Sequence, residues 1–256
     1  MICSANTDIG MRRNVNQDSY ILKTFSEKTA LCVVCDGMGG AKGGEEASKI
    51  ASETFASNVE EFIKPFIGTK ERSVHVNEIR EKLIESVDKA NNAVYSYARS
   101  HPALRGMGTT LVAALIIEHN IFAINVGDSR MYLIKGNKIK QITKDHSYVQ
   151  YLIDMGQLTE KEAEVFPNRN VITRAVGTEE SVLPECFRES ASDGSFILLC
   201  SDGLTNFVSN EEIKDIITKD SKNMDQITLN IRVKKLIDLA NANGGSDNIT
   251  AAVIKL

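Results

Sequence analysis

Hydrophobic positions along this chain follow two periods. Leu31–Cys35 reads LCVVC and Phe196–Cys200 reads FILLC, apolar runs with no polar alternation, as strands buried on both faces do. Further strands are predicted over Ile2–Gly10, Ser19–Thr24, Thr109–Glu118, Ile121–Val126, Met131–Lys135, Lys138–Ile142, Val182–Glu189 and Asn248–Lys255. Short turns such as His119-Asn120 and Gly136-Asn137 join several of them, which favours antiparallel pairing over a βαβ series. Between the strands the period lengthens. Gly43-Gly44 opens a helix whose face carries Ala51, Phe55, Val59, Phe62 and Ile63, and Pro65 and Gly68 close it. Val76–Ser100 repeats the pattern through Ile79, Leu83, Val87, Ala90 and Val94 against a charged opposite face. Two more helices are predicted, from Asn210 and between Asp225 and Asn243. Asp145–Asn170 is polar, holds two short helical patterns (Tyr148–Met155 and Thr159–Phe166), and reads as an insertion.

Strands buried on both faces and helices apolar on one face fit few architectures. The expected fold class is α+β, a four-layer α-β-β-α sandwich in which two antiparallel sheets pack face to face with helices on both outer faces. No repeat, low-complexity tract or linker divides the chain, so one domain over 1–256 is expected. Composition then excludes some functions. Apolar residues at 42% and charged residues at 25% are ordinary for a globular protein. A net charge of −4 argues against binding driven by nucleic-acid phosphates. No apolar stretch approaches the roughly 18 residues that span a membrane, and MICSANTDIG has neither the basic region nor the apolar core of a signal peptide. Five cysteines, an odd number, point to a reducing compartment and a cytoplasmic location.

Four aspartates stand out by position. Asp36 and Asp202 each end an apolar run and are each followed by glycine; Asp128 in NVGDSR and Asp247 in GGSDNIT occupy glycine-flanked turns. Taken singly, each reads as an ordinary turn residue. Brought together, they would repel one another unless hard cations such as Mg²⁺ or Mn²⁺ met them, because all-oxygen ligation does not suit zinc.

The segments TDIG, RRNVNQD, DGMGG, MGTTLVAALI, NVGDSR, DHSYVQ, NVITRAVG, LLCSDGL and GGSDNIT follow one another over nearly the whole chain. In that order they resemble the metal-dependent serine/threonine protein phosphatases of the PPM family, the protein phosphatase 2C type, and its small bacterial members in particular. The resemblance implies a sandwich of two antiparallel sheets flanked by helices, and two core Mn²⁺ or Mg²⁺ ions. Asp36 would bridge the ions, the Gly37 carbonyl would bind one of them, and Asp202 and Asp247 would complete the ligands of the other. Asp128, with Asp202, matches the pair that holds a third, weaker ion in bacterial relatives. Arg13 matches the arginine that grips the substrate phosphate, and Asp18 and Asn248 would support the ligands directly or through water. A water bridging the ions would attack phosphorus in line, without a covalent phospho-enzyme. Phosphorylated Ser/Thr proteins are the implied substrates, a bacterial membrane-anchored Ser/Thr kinase the implied counterpart, and a monomer the expected state. The segment 145–184 resembles the family's variable flap beside the active site.

Two positions depart from the pattern. Met38 stands where many eukaryotic relatives have a histidine able to protonate the leaving oxygen; His146 is a candidate replacement. Gln17 stands where the family often has glutamate, which removes one negative charge. Two other functions compete: a catalytically weak phosphoprotein-binding module, and a metal-dependent hydrolase of small phosphate esters. Cys32 and Cys35, three apart in a strand, point to opposite faces and are assigned to packing, as is Cys200; Cys3 and Cys186 carry no message. Arg130 is expected to hold its turn by an ion pair, and Arg174 to serve either the phosphate or the packing of the insertion. His75, His101 and His119 are expected to face solvent.

Overall fold

In the computed structural model, residues 1–67, 76–167, 169–221 and 224–256 are described; Gly68 and His75 lie outside them. Eleven strands are present among the described residues: β1 (Ile2–Asp8), β2 (Asp18–Ser26), β3 (Thr29–Met38), β4 (Gly108–Thr109), β5 (Leu111–Ile117), β6 (Asn120–Val126), β7 (Arg130–Lys135), β8 (Lys138–Gln141), β9 (Glu185–Ser190), β10 (Phe196–Cys200) and β11 (Ile249–Lys255). One sheet has the order β1-β11-β10-β7-β8. The other runs β2-β3-β5-β6-β9, with the short β4 also paired to β3, and every pairing is antiparallel.

Side-chain alternation along β3 shows why its sequence lacks polar positions. Leu31, Val33 and Cys35 pack outward under α1 (Gly40–Ile63) and α2 (Val76–Ser100), against Phe55, Val59, Leu83 and Val87. Cys32 and Val34 point the other way, into the layer between the sheets, where they join Val112, Ile121, Ile197, Leu199 and Ile254. The outer face of the second sheet, including Leu198, Cys200 and Val253, is covered by α6 (Asn210–Thr218) and α7 (Gln226–Ala242) through Ile213, Ile217, Val233 and Leu236. The layers are therefore α-β-β-α, as expected, and Cys32 and Cys35 lie in different cores.

Local differences have local causes. Helix α1 begins at Gly40, three residues before Gly43, because Gly39 adopts a left-handed conformation (φ 119°) that turns the chain directly out of β3. Asp202 opens a short helix, α5 (Asp202–Thr205), that no periodicity announces in four residues. The insertion read as 145–184 is in two parts. Its first half carries α3 (Tyr148–Asp154) and α4 (Glu160–Glu164). Its second half belongs to the body of the sandwich: Val176 bridges Thr109, the Gly177 N–H donates to Asn91 Oδ1 (2.7 Å), and Asn91 Nδ2 donates to the carbonyls of Glu179 and Glu180 (both 3.1 Å).

Candidate active site

Antiparallel pairing delivers the aspartates to one edge. The start of β2 lies beside the end of β3, so Asp18 is in register with Asp36. β6 runs parallel to β3 through their shared neighbour β5, which brings Asp128 to the same edge. In the facing sheet the end of β10 and the start of β11 coincide, placing Asp202 and Asp247 together. Asp36, Asp128, Asp202 and Asp247 line one cavity of about 560 Å³ with Arg12, Arg13, Gly37, Met38, Gln17, Thr110, Asn170 and Ile172.

Two glycines admit this convergence. A Cβ on Gly37 would lie 2.0 Å from the Gly44 carbonyl oxygen and 2.6 Å from that of Gln17. A Cβ on Gly203 would lie 2.0 Å from the Asn248 carbonyl oxygen. Neither glycine has a positive φ, so each is required for space and not for backbone conformation.

The carboxylates are held from behind. The Asp36 N–H donates to Thr110 Oγ1 (2.9 Å), Thr109 Oγ1 donates to the Asp36 carbonyl (2.9 Å), and the Thr110 N–H donates to that same carbonyl (2.8 Å). Asp18 Oδ2 accepts from Ser201 Oγ and Thr250 Oγ1, both at 2.7 Å. Asp202 Oδ2 accepts from Asn206 Nδ2 (3.0 Å). The second oxygens of Asp18 and Asp202 are cut off from solvent and have no hydrogen-bond partner.

Electrostatics follow from this crowding. Loss of hydration, then repulsion from Asp18, Asp202, Asp128 and Asp247, pushes Asp36 well above the usual carboxylate range. The same two causes, in the same order, raise Asp202, and they push Asp18 and Asp128 up to about 7. Mutually repelling carboxyls in one cavity, one of them (Asp202) with an orphaned oxygen, form a donor set of hard oxygens that fits divalent cations. Among the described residues, no group of three or more His, Cys, Asp or Glu side chains is already arranged to hold a metal ion.

Other expected residues take more specific places. Arg13 Nη2 donates to Asp247 Oδ2 at 2.8 Å, so the cation stands at the cavity already engaged with a carboxylate. Asn248 does not line the cavity. Its Oδ1 accepts from the Gln17 N–H (2.9 Å) and its Nδ2 donates to the carbonyls of Ile9 and Val15 (2.9 and 3.0 Å), which fixes the loop that carries Arg12 and Arg13. Gln17 Nε2 donates to the Gly40 carbonyl (2.5 Å). His146 is turned away: its Nδ1 accepts from the Gly127 N–H (3.2 Å), its Nε2 lies 3.7 Å from Glu185, and it is absent from the cavity lining. Burial, then the nearby Arg174, holds its imidazole below the usual value, so it props the Asp128 turn as a neutral ring and is no proton donor to the cavity. Arg130 forms the expected ion pair, with Nε and Nη2 on the Asp145 carboxylate (2.7–3.0 Å). Arg174 reaches the Leu183 carbonyl (3.3 Å) and lies outside the cavity lining. His101 stacks on Tyr97, and His119 is exposed.

Arg12, Thr110, Asn170, and the Ser201 and Thr250 hydroxyls that hold Asp18 carried no assigned role in the sequence. The signal for Thr109-Thr110 was present as two hydroxyls inside an otherwise apolar run. Asn170 opens the NVITRAVG segment, but no apolar period or turn signal assigns it to the cavity, which it reaches through the fold of the insertion.

Comparison with known proteins identifies the family and the fold. The family model described as "Protein phosphatase 2C" matches residues 11–238. Protein phosphatase PhpP of Streptococcus pneumoniae is 36% identical over 256 residues, covering 100% of this chain and 98% of the relative. The crystal structure of the serine/threonine phosphatase Stp1 from Staphylococcus aureus superposes with a TM-score of 0.86 at 35% identity, covering 100% of this chain and 95% of that one. The catalytic domain of the serine threonine protein phosphatase PstP, solved in complex with 2 manganese ions, superposes with a TM-score of 0.79 at 32% identity, covering 98% and 96%. With a family match over most of its length, a shared fold and an aspartate-lined cavity, the chain belongs to the protein phosphatase 2C family, enzymes that hydrolyse phosphoproteins.

Proposed function

We propose that this chain is a Mn²⁺- or Mg²⁺-dependent phosphatase that removes phosphate from serine and threonine side chains, the products of a Ser/Thr kinase, and that 1–256 acts as one catalytic domain. The observation that carries this reading is the convergence of Asp36, Asp128, Asp202 and Asp247 in one cavity with Arg12 and Arg13. Asp36, Asp202, Asp247 and the Gly37 carbonyl would hold two core ions, with Asp128 and Asp202 available to a third. When bound, such ions supply an acidified water and add to the positive charge that Arg12 and Arg13 offer the phosphoryl oxygens. PstP, a relative of the same fold, was solved with two manganese ions, in keeping with that assignment.

The chain's own contribution is placement. Arg13 presents a planar fork of donors suited to two phosphate oxygens. Asn248 fixes the loop on which Arg13 rides, and Thr109 and Thr110 fix the main chain of Asp36. Asp18, itself held by Ser201 and Thr250, contributes negative charge behind Asp36 and so strengthens the demand for cations. Met38 has no proton to give and His146 is turned away, so neither supplies the proton that the departing Ser or Thr oxygen takes up. No serine or cysteine nucleophile is required, and Cys32, Cys35 and Cys200 are buried in packing layers.

Hydrolysis of p-nitrophenyl phosphate and of a phosphothreonine peptide tests the reading. Activity is expected with Mn²⁺, and loss of activity with chelator or with Asp36→Asn or Asp202→Asn. Chelator-insensitive turnover, or full activity in either variant, would overturn it.

A further inference from the structure

A second groove opens from the catalytic cavity. It runs between the inserted helices α3 and α4 on one side and the corner of α5 and α6 on the other, and at about 1010 Å³ it exceeds the 560 Å³ of the cavity itself. Asp128, Asn170 and Asp202 belong to both linings, so the two spaces are continuous. Neither Arg12 nor Arg13 reaches the groove.

Its charge is one-sided. Of the six carboxylates that line it, Asp128 and Asp202 are those assigned above to cations and Asp145 is bound to Arg130, which leaves Glu160, Glu211 and Glu212 beside Arg169. The walls carry Glu160 on α4 opposite Glu211 and Glu212 on α6. Both helices begin with a capping box, Thr159 with Glu162 and Ser209 with Glu212, which fixes the first turn and so the position of these acids. Glu211 is shared with Lys214, yet its side chain remains 74% exposed. Val165, 83% exposed, and Phe207 offer apolar contact between the charges.

We propose that this groove receives the polypeptide flanking the phosphorylated residue, and that its acidic walls select segments carrying lysine or arginine near the phosphosite. The inference rests on the function proposed above. The phosphorylated side chain enters the catalytic cavity, and the protein chain that bears it must leave along a path; of the two spaces that share lining with that cavity, the groove is the larger, at about 1010 Å³ against about 460 Å³ for the one beside Arg174 and Leu183. Complementary charge would then raise the encounter rate with basic segments, while acidic segments would meet like charge.

Two phosphothreonine peptides test this, one with arginine and one with glutamate at the three positions on each side, assayed at saturating Mn²⁺ in low and high salt. The wild-type protein should favour the basic peptide about fivefold in kcat/KM, the size that two exposed ion pairs can give. High salt should shrink that ratio as screening shortens to a few ångströms. The Glu160→Lys/Glu211→Lys variant, with its melting temperature checked against wild type, should abolish or invert the ratio. Equal kcat/KM for both peptides, or an unchanged ratio in the variant, would overturn the groove assignment and leave the phosphatase reading standing. Hydrolysis of neither peptide would overturn both.

Discussion

β3 and β10 both leave the core as an apolar run into Asp-Gly, but β3 continues as strand through Met38, whereas β10 stops at Cys200 and Asp202 starts α5. Backbone course therefore does not explain the shared dipeptide. What the two ends have in common is a carboxylate at the cavity and a glycine pressed against a carbonyl oxygen: Gly37 on Gly44, Gly203 on Asn248. They differ in support. Asp36 is held through its main chain by Thr109 and Thr110 and faces all four other aspartates. Asp202 has a side-chain donor, Asn206, and meets repulsion from Asp247. The comparison assigns Asp36 as the centre of the charge cluster and Asp202 as its edge.

The largest expected effects break that symmetry. Asp36→Asn should cost more than the ~10–100-fold that losing a supporting partner of a metal ligand costs, and with chelator present it should raise the melting temperature. Relieving about 1 kcal/mol of repulsion corresponds to roughly 2–4 °C in a chain of this size. Asp202→Asn should lose activity too but gain less stability; equal gains would remove Asp36 from the centre. Next come Gly37→Ala and Gly203→Ala, each expected to cost about 1–3 kcal/mol by overpacking against backbone. Denaturant unfolding measures this, and a neutral result at either site would mean that the close approach is not needed there.

Asn248→Ala sharpens the comparison from the side of β11. Losing the three hydrogen bonds that fix the Arg13 loop should raise KM for a phosphopeptide by about 10-fold, with Mn²⁺ binding retained. A change in kcat alone would move Asn248 from loop-holding to the chemistry. The smallest effect is one of pH. Asp18 and Asp128 are raised to about 7, so between about pH 4 and 7 the folded chain binds more protons than the unfolded one. Their contribution is full below about pH 4 and is lost as pH rises through 7. Chelated protein should therefore melt lower at pH 7.5 than these groups allow at pH 5.5, and Mn²⁺ should flatten that slope. A chelated protein whose stability rose across this window would contradict the shared burial of the aspartates.

Much of this was legible in the sequence because burial leaves a pattern. LCVVC and FILLC announced strands covered on both faces, and the Val76–Ser100 stripe matched α2 at both ends. Asp36, Asp128, Asp202 and Asp247 were marked by what precedes and follows them. Register was not legible: that Asp18 sits opposite Asp36 depends on pairing across a turn. Nor was the role of His146, since an imidazole in a polar stretch reads alike whether it faces a cavity or props a glycine N–H. Asn170 and the acidic groove depend on how the insertion folds back, where no hydrophobic period records the geometry.

The central claim is that mutually repelling aspartates brought together from the two facing sheets form a centre for divalent cations. Calorimetric titration of chelator-stripped protein with Mn²⁺ tests it most directly. The account predicts at least two ions per chain in wild type, with binding at the core sites lost in Asp36→Asn. No measurable binding, or binding undiminished in Asp36→Asn, would contradict it.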